Sequence, residues 1–297
     1  MPKAAANGIE IEYEAFGAAD APSVLLISGL GTPMIRWATP FCETLAARGF
    51  RVIRFYNRDV GLSTHLTATA VPDMGAVFGA LARGGRPDIP YSLQDMAEDS
   101  VALLDALGVA KAHIVGRSMG GMIAQLVAIT HPTRVRSLIS IMSTTGNPGL
   151  PRASSAAMEA MRSPAPRLDA DEAAFLAHAL RIARVNAGTR YPFDEDFARA
   201  QALTEARRAY DPDGAARQLI AVVAAGDRRE RLKTITAPTL VIHGTEDRLL
   251  SPAAGQDTAA HIPGAELKLV EGMGHEIPPG MYAEMAGWIA EFAGRAG

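Results

Sequence analysis

Along this chain, short unbroken apolar runs alternate with segments whose apolar residues recur at helical spacing. The runs are "VLLIS" (24–28), "VIRFY" (52–56), "HIVG" (113–116), "SLISIM" (137–142), "TLVIHG" (239–244) and "LKLVEG" (267–272). Runs of this length without polar alternation fit strands buried on both faces of a parallel sheet. Upstream the pattern differs. Asn7-Gly8, a favoured hairpin pair, precedes alternating Ile9, Ile11, Tyr13 and Ala15, which predicts an antiparallel edge. Helical spacing appears in "WATPFCETLAARG", which stops at Gly49, and in "SLQDMAEDSVALLDALG", which stops at Gly108. The second opens on a capping box from Ser92 to Asp95 and repeats apolar residues at Leu93, Met96, Val101, Leu104 and Leu107. Strand and helix in alternation call for an α/β fold, a mostly parallel sheet flanked by helices.

One block interrupts the alternation. From about Thr144 to Lys233 no strand pattern appears, and amphipathic stretches such as "DADEAAFLAHALRIARVNAG" and "DEDFARAQALTEARRAY" predict helices. The chain therefore divides into a core of residues 1–143 and 234–297 and an inserted helical cap of residues 144–233. The carboxyl ends of the strands, where open α/β sheets bind ligands, are the expected place for such a cap. A second irregular stretch, Thr64 to Tyr91, is apolar for a loop and reads either as a lid or as a segment holding a short helix.

The junction "HIVGRSMGGMIAQ" places one serine at a change from strand to helix. Gly116 and Gly120 flank Ser118 at the G-x-S-x-G spacing of a nucleophile elbow, where small residues let strand and helix approach closely. A serine nucleophile needs a base, and the base needs an acid to orient it. Of the seven histidines, His275 lies in the glycine-rich "VEGMGHEIPP" just beyond the last expected strand, where a loop can carry its imidazole over the elbow. The turn after "TLVIHG" offers Glu246 and Asp247, and Asp247 is the chosen acid. Ser, Asp and His then follow one another in the order expected when this triad sits on an α/β sheet. Two N–H groups are needed for an oxyanion hole. Met119, after the serine, supplies the first; Leu30, between Gly29 and Gly31 at the end of "LLISGLG", is assigned the second. The substrate pocket is expected to take Met34, Trp37 and Met142 from the core and Phe175, Tyr191 and Phe193 from the cap. Arg117 is expected to turn its side chain away, leaving a site that favours apolar over charged substrates.

Composition narrows the alternatives. The 297 residues carry a formal net charge of -3, no footprint for nucleic acid or an anionic membrane. Cys42 is the single cysteine and reads as a buried small hydrophobe, so thiolate metal clusters and intrachain disulfides are not expected. No segment has the apolar length of a membrane span, and the start lacks a signal-peptide pattern; the expected location is cytoplasmic, with no cofactor or metal. The sequence sets no oligomeric state.

Five segments, "SGLG" (28–31), "NRDVGLST" (57–64), "VGRSMGG" (115–121), "HGTEDRLLSP" (243–252) and "GMGHEIP" (272–278), together resemble the α/β-hydrolase superfamily. The likeness is to the branch with a helical cap after the sixth strand, and most to the anthracycline methylesterases and related small carboxylesterases. Many such proteins carry His-Gly where this chain has Ser28-Gly29. Arg58 and Asp59 read as structural. The resemblance implies a serine hydrolase that cleaves a small to medium apolar carboxylic ester through an acyl-enzyme. Carbon–carbon bond hydrolysis, lactone hydrolysis, perhydrolysis and acyl transfer use the same constellation, and a ligand receptor with vestigial chemistry is the alternative of another class.

Overall fold

The apolar runs become strands of one sheet with the order β1-β2-β4-β3-β5-β6-β7-β8. In this computed structural model, which describes residues 2–163, 166–208 and 211–296, the strands are β1 (Lys3–Ala6), β2 (Ile9–Phe16), β3 (Ser23–Ile27), β4 (Arg51–Phe55), β5 (Ala112–Arg117), β6 (Val135–Ile141), β7 (Thr239–Gly244) and β8 (Glu266–Val270). The hairpin β1–β2 joins β4 antiparallel; every later pairing is parallel. The helices are α1 (Thr39–Ala46), α2 (Met74–Ala82), α3 (Leu93–Ala106), α4 (Met119–Thr130), α5 (Ser155–Arg162), α6 (Glu172–Asn186), α7 (Glu195–Arg208), α8 (Pro212–Ala225), α9 (Arg229–Leu232), α10 (Pro252–His261) and α11 (Tyr282–Arg295).

The two-residue period of the strands divides the core into two layers. Leu25, Ile27, Ile53, Phe55 and Ile114 point to the side of α3 and α4, whereas Val24, Leu26, Val52 and Val115 point to that of α1 and α11. Each such aliphatic side chain withdrawn fully from water contributes about 1.5–3 kcal/mol, which makes slippage of a central strand by one residue prohibitive. The capping box of α3 forms in both directions between Ser92 and Asp95. At β8 the structure departs from the sequence expectation of a strand buried on both faces. Lys268 lies over the Trp288 ring of α11, at 4.7 Å, but Leu267 and Leu269 on the opposite face are exposed because β8 is the sheet edge.

Helices α5 to α9 occupy the chain between β6 and β7. Of the "DEDFARAQALTEARRAY" stretch, α7 accounts for Glu195–Arg208, and Ala209 and Tyr210 lie outside the described residues. The 64–91 stretch contains α2, started by the Asp73 side chain accepting the Ala76 N–H, and packed against α8. No helix among the described residues is long and apolar enough to cross a membrane.

One buried polar group in the sheet gives the fold a pH dependence. His113 of β5 is buried, its Nδ1 lies 2.8 Å from the Ser137 hydroxyl, and burial, with Arg136 adding to it, pushes its pKa down to about 4. An unfolded histidine titrates near ~6.5, so between these values the unfolded chain takes up a proton that the folded one refuses. Stability must fall as pH drops through that window, by on the order of 3 kcal/mol at ~1.4 kcal/mol per pKa unit. Urea unfolding at pH 7 and at pH 4 should show a smaller loss for His113→Gln than for the parent chain. Equal losses would remove His113 as the cause.

Candidate active site

Ser118 sits between β5 and α4 with φ 54° and ψ −123°, a conformation that non-glycine residues seldom hold. The surrounding glycines explain how the chain gets there. A Cβ on Gly116 would lie 2.0 Å from the Gly120 carbonyl oxygen, and one on Gly120 would lie 2.2 Å from that of Ile27. No side chain fits at either point, so strand and helix meet only because both positions lack one.

The loop after β8 brings His275 to this serine. Its Nε2 is 3.0 Å from Ser118 Oγ, and its Nδ1 is 2.7 Å from Asp247 Oδ2. Asp247, in the turn that follows β7, also accepts the N–H groups of Leu249 and Leu250 through Oδ1. Burial works against a charge there, but hydrogen bonds from His243 and His275 outweigh it and hold the carboxyl well below the usual range. An ionised Asp247 can only accept, so Nδ1 of His275 carries the proton and Nε2 is left to accept the Ser118 hydroxyl.

The Gly29-Leu30-Gly31 turn follows β3 directly. Gly31, at φ 58°, donates its N–H to Gln218 Oε1 at 2.7 Å, and Gln218 Nε2 donates to the Arg58 carbonyl. Among the described residues no acceptor takes the Leu30 or Met119 N–H, and the latter opens α4, where the first amides of a helix are free.

The insertion completes this end of the molecule. Asn186, the last residue of α6, accepts the His275 N–H through its carbonyl at 2.7 Å, and Arg190 donates its N–H to Gly272 at 2.8 Å. Glu246 turns the other way from Asp247: its two oxygens accept the N–H and hydroxyl of Thr189. Between these elements lies a cavity of about 740 Å³ with Ser118 and His275 in its wall. Phe175, Tyr191 and Phe193 line it, but Met34, Trp37 and Met142 do not. Met34 packs with Tyr56 and Val60, and Trp37 and Met142 belong to the α1–α11 core layer, each essentially inaccessible. Their apolar character was satisfied by the core, which spacing along the chain could not reveal. Arg117 differs from expectation in the other direction, since it lines the cavity together with Arg36, Glu205 and Glu276.

Sequence reasoning missed Gln218, His243 and Asn186. Gln218 and Arg217 are buried polar residues on the otherwise apolar "LIAVV" side of α8, and His243 interrupts a buried strand; such conflicts were the available signal. Asn186 acts through its backbone, and no side-chain pattern marks it. His243 donates from Nε2 to the Leu250 carbonyl at 2.8 Å and lies 3.3 Å from Asp247 Oδ2, so it braces the acid from behind. Asp59, His65 and Asp211 bring three potential ligand atoms within 4.8 Å of one another. Arg217 already donates to both oxygens of Asp59, and its guanidinium supplies the positive charge that a metal would.

The chain and its fold have relatives. A family model described as alpha/beta hydrolase fold matches residues 22–279. The chain is 30% identical over 291 residues to rhodomycin D methylesterase DauP of Streptomyces sp. (strain C5), covering 91% of this chain and 90% of that protein. Its fold superposes on the enol-lactonase from Burkholderia xenovorans LB400 with a TM-score of 0.73, at 24% identity, over 98% of this chain and 99% of that one. A meta-cleavage product hydrolase from Pseudomonas fluorescens IP01 superposes with a TM-score of 0.77, at 18% identity, over 100% and 98% of the two chains.

Proposed function

The chain belongs to the α/β-hydrolase fold family, and on that premise we propose that it is a serine esterase acting through a Ser118–His275–Asp247 triad. The observation that carries this reading is the continuous hydrogen-bonded line from Ser118 Oγ through the imidazole to a carboxylate held in its charged form, set in the wall of a cavity large enough for a substrate. Similarity to a methylesterase along nine-tenths of the chain supports the same class of bond.

The chemistry follows from the geometry. Ser118 Oγ attacks the ester carbonyl while His275 Nε2 removes its proton, and Asp247 stabilises the resulting imidazolium. Negative charge on the former carbonyl oxygen is met by the N–H groups of Leu30 and Met119, and the N-terminus of α4 adds its dipole to the second. The imidazolium then protonates the leaving alcohol. Water, deprotonated by the same nitrogen, attacks the acyl-enzyme and releases the acid. We assign residues 144–233 to a cap that closes the cavity and, through Asn186 and Arg190, holds the His275 loop.

Phe175, Tyr191, Phe193 and Ile182 give the cavity an apolar wall suited to the body of the ester. Each methylene buried there is worth ~0.8 kcal/mol, approaching fourfold in binding. Nitrophenyl esters with acyl chains from about two to eight carbons should therefore show kcat/KM rising with length until the wall is covered. No turnover of any member would refute the esterase reading and favour a binding protein on this fold; turnover with no dependence on length would refute the apolar wall.

A further inference from the structure

Five arginines are buried among the described residues, and four have acceptors. Arg54 bonds Glu14, Arg58 bonds Asp99, Arg217 bonds Asp59, and Arg228 donates to the carbonyls of Gly226 and Thr144. Arg117 is the fifth. It is 7% exposed, its Nε is buried with no partner, and no hydrogen bond or ion pair to a described residue engages its guanidinium. An unpaired buried cation with five donors is expensive and persists where something completes it.

The surroundings indicate what that is. Arg117 lines the cavity that holds Ser118, the next residue in the chain, and its guanidinium lies 5.9 Å from the centre of the buried Trp37 ring. The neighbouring Arg36 is already occupied, because Glu205 binds it through two parallel hydrogen bonds of 2.6 and 2.5 Å. Glu276 faces the same cavity but makes no ion pair with Arg117. Burial affects the two alike, lowering the Arg117 pKa to about 10 and raising that of Glu276, as expected for groups desolvated without being joined.

We propose that Arg117 is the anchor for a carboxylate on the substrate, so that the preferred substrate is a hemiester, apolar along its body and anionic at one end. The inference rests on the serine-esterase reading and replaces the expectation that charged substrates are disfavoured. A carboxylate matches the planar fork of a guanidinium and forms charge-assisted bonds with it. Glu205 is held by Arg36, so Glu276 is the carboxylate left to compete for Arg117, and it should weaken the anchor.

Two substrate series locate the carboxylate: monomethyl esters of dicarboxylic acids carry it on the acyl side, and ω-acetoxy acids carry it on the alcohol side. Each is compared with its neutral primary amide. In the parent chain one series should be preferred over its amides by at least ~10-fold in kcat/KM, the scale of a hydrogen bond to a charged group. Arg117→Gln should bring that ratio close to one, Arg117→Lys should retain part of it, and Glu276→Gln should increase it. A ratio near one in both series, or a ratio unchanged in folded Arg117→Gln, would overturn the proposal. Calorimetry of glutarate binding to Ser118→Ala separates this idea from the catalytic one. Binding that is lost in Ser118→Ala/Arg117→Gln supports the anchor even if no ester is turned over, whereas glutarate binding indifferent to Arg117 counts against it.

Discussion

Ser118→Ala is expected to lower ester turnover by on the order of 10⁶, the scale at which a triad nucleophile is lost. The size follows from the line of contacts. Without Oγ, His275 Nε2 loses the hydroxyl it would deprotonate, and no acyl-enzyme can form on this residue. Alanine has to hold the same φ of 54° as serine, so the strain at the elbow is unchanged and the variant should fold as the parent does. A phosphonylating reagent should add one mass increment to the parent chain, on the peptide containing Ser118, and none to the variant. Label on another serine with loss of activity, or turnover that survives the substitution, would make the elbow a structural turn.

Asp247→Asn should cost up to roughly 10⁴-fold in kcat, because an amide can donate to Nδ1 and thereby fix the wrong imidazole tautomer. Nε2 would then carry the proton and could not take one from Ser118. The adjacent Glu246→Gln should cost less than ~10-fold. Its oxygens contact Thr189 of the insertion and no histidine, and the amide oxygen can still accept there. The pair of variants, compared by kcat on one aryl ester with folding checked by circular dichroism, discriminates between two carboxylates that are neighbours in sequence. A larger loss at Glu246 would move the acid to that residue.

How much of this was legible in the sequence depends on the range over which each feature is determined. The unbroken apolar runs, the capping box and the glycines of the elbow are local patterns whose physics acts within a few residues, and each sets its own element. Ser118, Asp247 and His275 were selected by their positions just past expected strands, because a parallel sheet delivers all its strand ends to one edge. At β8 the same rule of apolar runs overreached, since hydrophobicity does not state which strand will lack a neighbour.

The tertiary structure alone decided which apolar residues face the cavity and which charges are paired. Met34, Trp37 and Met142 have the composition of a pocket wall but fill the core, while Arg117, expected to turn away, lines the cavity without an acceptor among the described residues. Gln218 and Asn186 meet the site across 187 residues to Gly31 and from the end of α6 to His275, contacts that no local period encodes. Local patterning determines that an element forms and which face it buries. The partner of each polar group is decided only when distant segments pack, because at that point the group exchanges water for one particular acceptor or is left with none.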